Sequence, residues 1–199
     1  MPRPDSSPPP FRKLGEQRRY AGTLISVGTA TFSGPGGDSF ERDVVHHPGA
    51  VSVVPLREAP GEGRPSVVLV RQYRAAVERD LLEIPAGKRD VAGEPPEATA
   101  HRELQEEIGM RAGRLQQLAH FYNSPGFSDE HSYVFMATAL EPAAAAPQGV
   151  EERYMTLVEV PMEEVPGLIA SGGIVDAKTI IGLCLARHVL GLSDRRPQG

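Results

Sequence analysis

Alternating and Val-rich apolar segments, separated by turn-forming residues, run through the first half of the chain. They predict β-strands, because strand side chains alternate between two faces and β-branched residues favour such segments. The Gly/Pro-rich cluster from Ser33 to Asp38 divides the first two segments and predicts a β-hairpin. We expect strands over residues 22–31, 39–45, 50–56, 66–72 and 80–85, and a loop over residues 87–93.

The apolar spacing changes to a helical period beyond residue 95. Pro96 suits a first helical turn, Ala100, Leu104 and Ile108 recur every four residues, and Gly109 suits a helix end. We therefore expect a helix through Ile108 whose apolar face contacts a sheet. Further strands are expected over residues 115–122, 132–140 and 154–160, and helices over residues 162–170 and 177–190. Strands on both sides of one long helix predict a mixed α/β fold.

The 199 residues suffice for one main domain with an appendage. The N-terminus is rich in Pro and Ser, which is typical of a tail without fixed structure. We expect a disordered tail over residues 1–19, a β subdomain over 20–47, the main domain over 48–192 and a disordered tail over 193–199.

Composition indicates a globular protein, with 40% hydrophobic and 24% charged residues. The net charge of -5 gives no bulk attraction to polyanions, so we expect no nucleic-acid partner. The apolar stretch 179–192 is too short to span a bilayer, and the N-terminus lacks a secretory apolar segment. We therefore expect no membrane association and a cytoplasmic location. The lone Cys184 excludes an intrachain disulfide and is expected to be buried.

Three carboxylates share one face of the expected helix. Glu103, Glu106 and Glu107 stand at i, i+3 and i+4, where like charges repel each other. Converging carboxylate oxygens are the ligands that hard cations such as Mg²⁺ prefer. The cluster therefore predicts a metal site, and the alternative is a solvated acidic helix. Metal-ligand spacing is absent among the six histidines, and we interpret all of them as structural or exposed: His46, His47, His101, His120, His131 and His188.

The acidic helix belongs to a longer motif that resembles the Nudix box. That pattern is Gly, five residues, Glu, seven residues, then Arg-Glu-apolar-any-Glu-Glu-any-Gly-apolar. From Glu94 to Met110 the chain matches every fixed position. It departs only in the loop, where six residues separate Gly87 from Glu94. The resemblance implies a Nudix α/β/α sandwich with a mixed sheet, preceded here by the N-terminal β-hairpin.

Membership of this family implies hydrolysis of a nucleoside diphosphate linked to another group, with Mg²⁺ or Mn²⁺ as cofactor. The resemblance makes Glu103 and Glu107 the primary metal ligands, Glu106 a shared or water-mediated ligand, and the Ala86 carbonyl a further ligand. It makes four other residues structural: Gly87, Glu94, Arg102 and Gly109. With all box carboxylates present, the acidic helix is better explained as a ligand face than as a solvated surface.

Five segments resemble the ADP-ribose pyrophosphatase branch of the family: residues 41–50, 71–74, 82–88, 124–130 and 174–179. This resemblance implies hydrolysis of ADP-ribose to AMP and ribose 5-phosphate. It also implies a homodimer in which residues 20–47 serve dimerisation. The chain contains no Trp, which disfavours cleavage of NADH, because a Trp-containing motif marks the relatives with that activity.

The substrate-binding candidates each have an alternative. Arg71 and Arg74 either bind phosphate or pair with surface acids. Glu83 either accepts hydrogen bonds from ribose or is a solvated acid at a strand end. Tyr73 and Phe127 either stack on adenine or belong to the core.

Two glutamates compete as general base for the attacking water. Glu130 stands on a loop that contains Gly and Pro and is favoured by the resemblance, whereas Glu106 stands on the helix. Two other functions remain open: hydrolysis of a different nucleoside diphosphate sugar, such as ADP-glucose or GDP-mannose, and nucleotide recognition without catalysis.

Overall fold

The computed structural model describes residues 11–58, 65–144 and 151–192. Residues 1–10 of the tail predicted over 1–19, and the tail predicted over 193–199, lie outside these residues. The chain divides into two compact units. The first comprises Met1–Pro48 and Tyr122–Glu130, and the second comprises Gly49–Phe121 and His131–Gly199.

The first unit contains a three-stranded antiparallel sheet in the order β1-β2-β3. Its strands are β1 (Arg12–Ala21), β2 (Ser26–Ser33) and β3 (Ser39–His46). The last two form the predicted hairpin, with the turn at Gly34–Asp38 closed by a hydrogen bond from the Gly34 N–H to the Asp38 carbonyl. Strand β1 corrects the predicted tail, because residues 12–19 are paired with β2.

The second unit contains a seven-stranded sheet with the central order β10-β5-β4-β9-β8. Strand β4 pairs with β9 in parallel and with β5 antiparallel, so the sheet is mixed as predicted. Its strands are β4 (Ala50–Glu58), β5 (Pro65–Arg74), β6 (Arg79–Glu83), β7 (Ala86–Lys88), β8 (Met110–Tyr122), β9 (His131–Pro142) and β10 (Thr156–Pro161). Strand β7 corrects the loop predicted from residue 87, since its residues pair with β4.

The predicted long helix is confirmed as α1 (Pro96–Ile108). Gly109 ends it in the left-handed conformation with φ 63°, and its N–H donates to the Gln105 carbonyl. Two further helices are α2 (Val165–Ala170) and α3 (Ala177–Val189). Asp176 begins α3, because its carboxylate accepts a hydrogen bond from the Thr179 N–H at 3.0 Å.

Helices cover both faces of the mixed sheet, which confirms the α/β/α fold class. Ala100, Leu104 and Ile108 of α1 are buried against one face, together with Val51 and Val53 of β4. On the other face, Val54 and Leu56 of the same strand pack in a cluster with Leu183 and Ala186 of α3. Each helix thus removes one apolar face of the sheet from water.

Helix α3 approaches the sheet closely at Gly182. A Cβ atom on Gly182 would lie 3.0 Å from Val54 Cγ2 and 3.1 Å from both Ile84 Cδ1 and Val134 Cγ1. Cys184, on the same helix, is exposed, so the prediction of a buried thiol is wrong. None of the helices in the described ranges has the length and apolar character needed to cross a membrane.

We predict that Gly182→Val lowers the free energy of unfolding by about 1–3 kcal/mol, because the added methyl groups overfill a packed interface. Chemical denaturation measures this change. Gly167→Val in α2 is the matched control, since a Cβ there meets nothing within 4 Å. Equal stability of the two variants would contradict the proposed packing.

Candidate active site

The carboxylate of Glu103 lies directly against the backbone of β7. The residue is buried, with 6% of its surface exposed. A Cβ atom on Gly87 would stand 1.9 Å from Glu103 Cδ and 2.0 Å from its Oε1. No side chain fits in that space, so glycine at residue 87 permits the approach of strand and carboxylate. Gly87 was predicted as structural, and this contact supplies a steric reason.

Arg102 binds several oxygens of the same site. Its Nη1 lies 2.7 Å from Glu103 Oε1 and 3.0 Å from Glu106 Oε2. Its Nη2 lies 3.4 Å from Glu94 Oε2 and donates at 3.3 Å to the Lys88 carbonyl. One guanidinium thus joins α1 to the loop before it and offsets part of the repulsion between the helix carboxylates.

Thr99 completes this connection and was not predicted from the sequence. Its hydroxyl donates a hydrogen bond to Glu94 Oε2 at 2.7 Å, and the residue is buried. The bond from Thr99, followed by that from Arg102, lowers the pKa of Glu94 below its usual range. The sequence signal for Thr99 is weak: a polar residue beside the apolar face of a helix.

Glu107 reaches the residue whose carbonyl was expected to bind metal. The Ala86 N–H donates to Glu107 Oε2 at 2.9 Å. Ala86 also begins β7, where it pairs with Ser52 of β4. The structure therefore brings together Ala86, Gly87, Glu103 and Glu107 at the meeting of one strand with one helix face.

The candidate ligand atoms at this site are all carboxylate or carbonyl oxygens, which are the ligands that hard divalent cations prefer. Within the ranges that the structure describes, no three His, Cys, Asp or Glu side chains are arranged to hold a metal ion. Arg102 accounts for part of this, because it binds one oxygen each of Glu103 and Glu106. The chemistry of the residues fits Mg²⁺, whereas their arrangement in the structure is that of an ion-pair network.

A second charged group surrounds Glu83, which is 1% exposed. Arg74 donates to both of its oxygens at 2.7 Å, and Lys178 of α3 also donates to Oε2. Lys178 Nζ lies 3.0 Å from Asp176 Oδ2 as well. The alternative of Glu83 as a solvated strand-end acid is wrong, and Arg74 pairs with this buried acid and not with a surface one.

The cations around Glu83 determine its ionisation. Burial raises the pKa of Glu83, but the hydrogen bonds from Arg74 and the charge of Lys178 outweigh burial and leave the pKa lowered. The charge of Glu107 contributes to the raised pKa of Arg74, after that of Glu83. Sequence reasoning missed Lys178, although it lies in the 174–179 segment that resembles the ADP-ribose branch.

The remaining substrate candidates are exposed. Arg71 and Tyr73 stand on β5, with Tyr73 48% exposed. Phe127, in the first unit, is 59% exposed. The alternative that Tyr73 and Phe127 belong to the core is therefore wrong.

Glu130 ends the segment of the first unit that follows β8. Its carbonyl accepts a hydrogen bond from the Asn123 N–H at 3.0 Å, and its own N–H donates to Ser128 Oγ at 3.1 Å. Its Oε1 lies 3.9 Å from His47 Nδ1. The loop is thus closed by its own hydrogen bonds and holds the Glu130 backbone in place.

Residues 46–178 match the family model of the NUDIX domain, which covers more than half of the chain. The chain belongs to the Nudix family. The match confirms the membership predicted from the box. Strand β7, which contains Gly87, and helix α1 carry most of the residues that match the Nudix box.

Two relatives extend the similarity over most of the chain. The ADP-ribose pyrophosphatase of Bacillus subtilis (strain 168) is 36% identical over 168 residues, which cover 84% of this chain and 88% of the relative. The ADP-ribose pyrophosphatase of Mycobacterium tuberculosis (strain ATCC 25618 / H37Rv) is 36% identical over 189 residues, which cover 94% of this chain and 88% of the relative. These matches confirm the resemblance to that branch.

A solved structure supports the Nudix fold. The crystal structure of an ADP compounds hydrolase superposes with a TM-score of 0.79 at 21% sequence identity. The match covers 96% of this chain and 100% of that one. The two proteins therefore share a fold.

We predict that Glu83→Gln lowers the free energy of unfolding at pH 7 by about 2–3 kcal/mol, because two cations lose a buried charged partner. The pKa of Glu83 is lowered in the folded protein. The wild-type advantage is therefore complete above the unfolded pKa, near 4.5, and disappears as pH falls through the lower folded pKa. Urea denaturation of both proteins from pH 3 to pH 7 measures the difference.

Glu159→Gln is the matched control for this prediction. Glu159 pairs with Arg57 at 3.0 Å, but both side chains are nearly half exposed. Its loss should change the unfolding free energy by less than about 1 kcal/mol at any pH. If Glu83→Gln behaves like this control, Glu83 is not a buried charged centre.

Proposed function

We propose that this Nudix protein is a Mg²⁺-dependent hydrolase that cleaves ADP-ribose to AMP and ribose 5-phosphate. Its relatives confirm the broader class, a hydrolase acting on pyrophosphate bonds. The observation that carries the proposal is the complete set of box carboxylates on α1 beside Ala86 and Gly87. Similarity to two ADP-ribose pyrophosphatases supports the choice of substrate.

Glu103, Glu106, Glu107 and the Ala86 carbonyl are the proposed ligands of Mg²⁺, with Mn²⁺ as a substitute. A cation held by these oxygens would neutralise phosphate charge, orient the pyrophosphate and acidify the attacking water. Arg102 and Glu94 hold the loop against α1, so that Glu103 stays against Gly87.

Arg74 is the proposed contact for the pyrophosphate. Glu83 binds its Nε and Nη2, which fixes the plane of the guanidinium, and the side chain is 39% exposed. A guanidinium held in this way is preorganised for an oxyanion, because it loses little freedom on binding. The proposed role of Glu83 in the substrate site is therefore to orient the Arg74 guanidinium. Arg71, Tyr73 and Phe127 are exposed and are proposed to contact the substrate, and each aromatic ring is a candidate to stack on adenine.

Glu130 is the proposed general base, which takes the proton of the attacking water as the phosphoanhydride bond breaks. Its rival Glu106 has one oxygen bound by Arg102 and is a proposed metal ligand. Glu130 stands on a loop with a hydrogen-bonded backbone, and its side chain is partly exposed. These features favour Glu130.

We predict that the purified protein with Mg²⁺ releases AMP and ribose 5-phosphate from ADP-ribose, and that Glu107→Gln lowers kcat at least about 100-fold. Chromatography of the products measures both. Glu97→Gln is the matched control, since Glu97 is an exposed acid in the first turn of α1. Full activity of Glu107→Gln would contradict the metal assignment, and absence of AMP would contradict the function.

The same assay tests the alternative substrates. ADP-glucose and GDP-mannose are compared with ADP-ribose by kcat/KM under identical conditions. A higher value for either would replace ADP-ribose as the substrate. A ligand-dependent rise in melting temperature without turnover or metal requirement would instead indicate a nucleotide-binding module.

We also propose that the protein is a homodimer joined through the three-stranded sheet. Every residue of β1 is exposed, and the first unit also exposes Phe11, Leu14, Tyr20 and Leu24. Several large apolar side chains exposed on so small a unit favour a contact surface. Residues 20–47 were predicted for this role, and we add residues 12–19 to the proposed surface because β1 pairs with β2.

We predict a dimer in sedimentation experiments and a shift toward monomer for Leu14→Glu, which introduces charge on the exposed strand. Val91→Glu is the control, since Val91 is similarly exposed but lies outside the first unit. A monomeric wild-type protein would contradict the dimer without affecting the proposed chemistry.

A further inference from the structure

The imidazole of His46 bridges two carboxylates at the end of β3. Its Nδ1 lies 2.5 Å from Asp129 Oδ2, and its Nε2 lies 2.7 Å from Glu16 Oε1. A neutral imidazole carries one N–H and donates to only one acceptor, whereas the imidazolium donates to both. Both contacts are hydrogen bonds only when His46 is protonated.

Asp129 connects His46 to the loop that ends in Glu130. Its Oδ1 accepts a hydrogen bond from the His47 N–H at 2.9 Å. Its own N–H donates to the Val45 carbonyl at 3.1 Å, and the Val45 N–H donates to the Phe127 carbonyl at 2.8 Å. The residue before Glu130 is thus fixed to β3 through both its backbone and its side chain.

Glu16 connects His46 to β1. Its carboxylate lies over β2, where a Cβ atom on Gly28 would stand 1.9 Å from Oε1. Lys13, three residues earlier on β1, pairs with its other oxygen. The glycine therefore leaves the space in which Glu16 reaches across β2 to His46.

We propose that protonated His46 is a positioning residue, which holds the Glu130 loop on the three-stranded sheet by bridging Asp129 and Glu16. The inference rests on the proposed function, in which Glu130 is the general base. Loss of the proton breaks one of the two bridges and loosens the segment that carries the base. Hydrolysis should then decline as the pH rises.

The charges around His46 favour the protonated form. Glu16 of β1 and Asp129 of the loop face it directly, with Lys13 behind Glu16 and with His47 and Glu130 beside the loop. Strand β2 contributes no charged residue. The hydrogen bonds to Asp129 and then to Glu16 raise the pKa of His46 above its usual 6.5.

The direction of the pH effect follows from this rise. A raised folded pKa means that the bridge is complete below the unfolded pKa and is lost as pH increases through the folded one. We therefore expect the decline in activity on the alkaline side of the profile. An arginine in place of His46 would keep its charge throughout that range.

The first test is the pH profile of kcat and KM for ADP-ribose with Mg²⁺, in wild type, His46→Gln and His46→Arg. His46→Gln should lower kcat about 10- to 100-fold with little change in KM, because misplacement of the base affects the reaction step. His46→Arg should restore kcat and extend it to higher pH. His188→Gln, at an exposed histidine of α3, is the control and should keep the wild-type profile.

The second test does not depend on turnover. Hydrogen exchange of the Val45, His47 and Asp129 amides, corrected for intrinsic rates, reports the opening of the loop. Protection should fall with rising pH in the wild type and stay constant in His46→Arg. Protection that does not depend on pH, or an unchanged kcat profile in His46→Gln, would overturn the inference. Absence of turnover with the expected exchange pattern would overturn the proposed function alone.

Discussion

The contact between the Glu103 carboxylate and the bare backbone of Gly87 fixes the geometry of the Nudix box. Any side chain on residue 87 would occupy the position of that carboxylate. Once α1 is this close to β7, Glu107 reaches the Ala86 N–H and Arg102 reaches the Lys88 carbonyl. Three contacts thus join one helix to one short strand, and the orientation of the carboxylates depends on all of them.

The elements with local signals were predictable from the sequence. Helix α1 carries a proline at its start, an apolar period along its face and a glycine at its end, and each acts within a few residues. Strand β1 lacks such a signal, because all of its ten residues are exposed and it has no buried face. It forms through backbone pairing with β2, which no pattern within residues 12–21 specifies. Strand β7 has only three residues and depends on β4 in the same way.

The site residues also differ in how far the sequence predicts them. Glu94, Arg102 and Glu103 stand at fixed spacing in one motif, so their association is predictable from the sequence. The group around Glu83 is not predictable in this way, because Lys178 is 95 residues away in sequence and the burial of Glu83 arises only in the folded sheet. A glutamate at a strand end resembles many solvated acids, and only the fold surrounds it with Arg74 and Lys178. Local sequence patterns do not predict long-range ion pairs of this kind.

The distribution of charge explains why a cation is needed for the proposed reaction. Arg102 pairs with Glu103 and Glu106, and its single positive charge offsets only part of the charge of the three carboxylates on α1. In the second group, the charges of Arg74 and Lys178 are balanced by those of Glu83 and Asp176, so the group adds no net positive charge. A pyrophosphate approaching α1 would therefore meet excess negative charge. A divalent cation on the same carboxylates would offset the remaining negative charge at the point where the phosphates must bind.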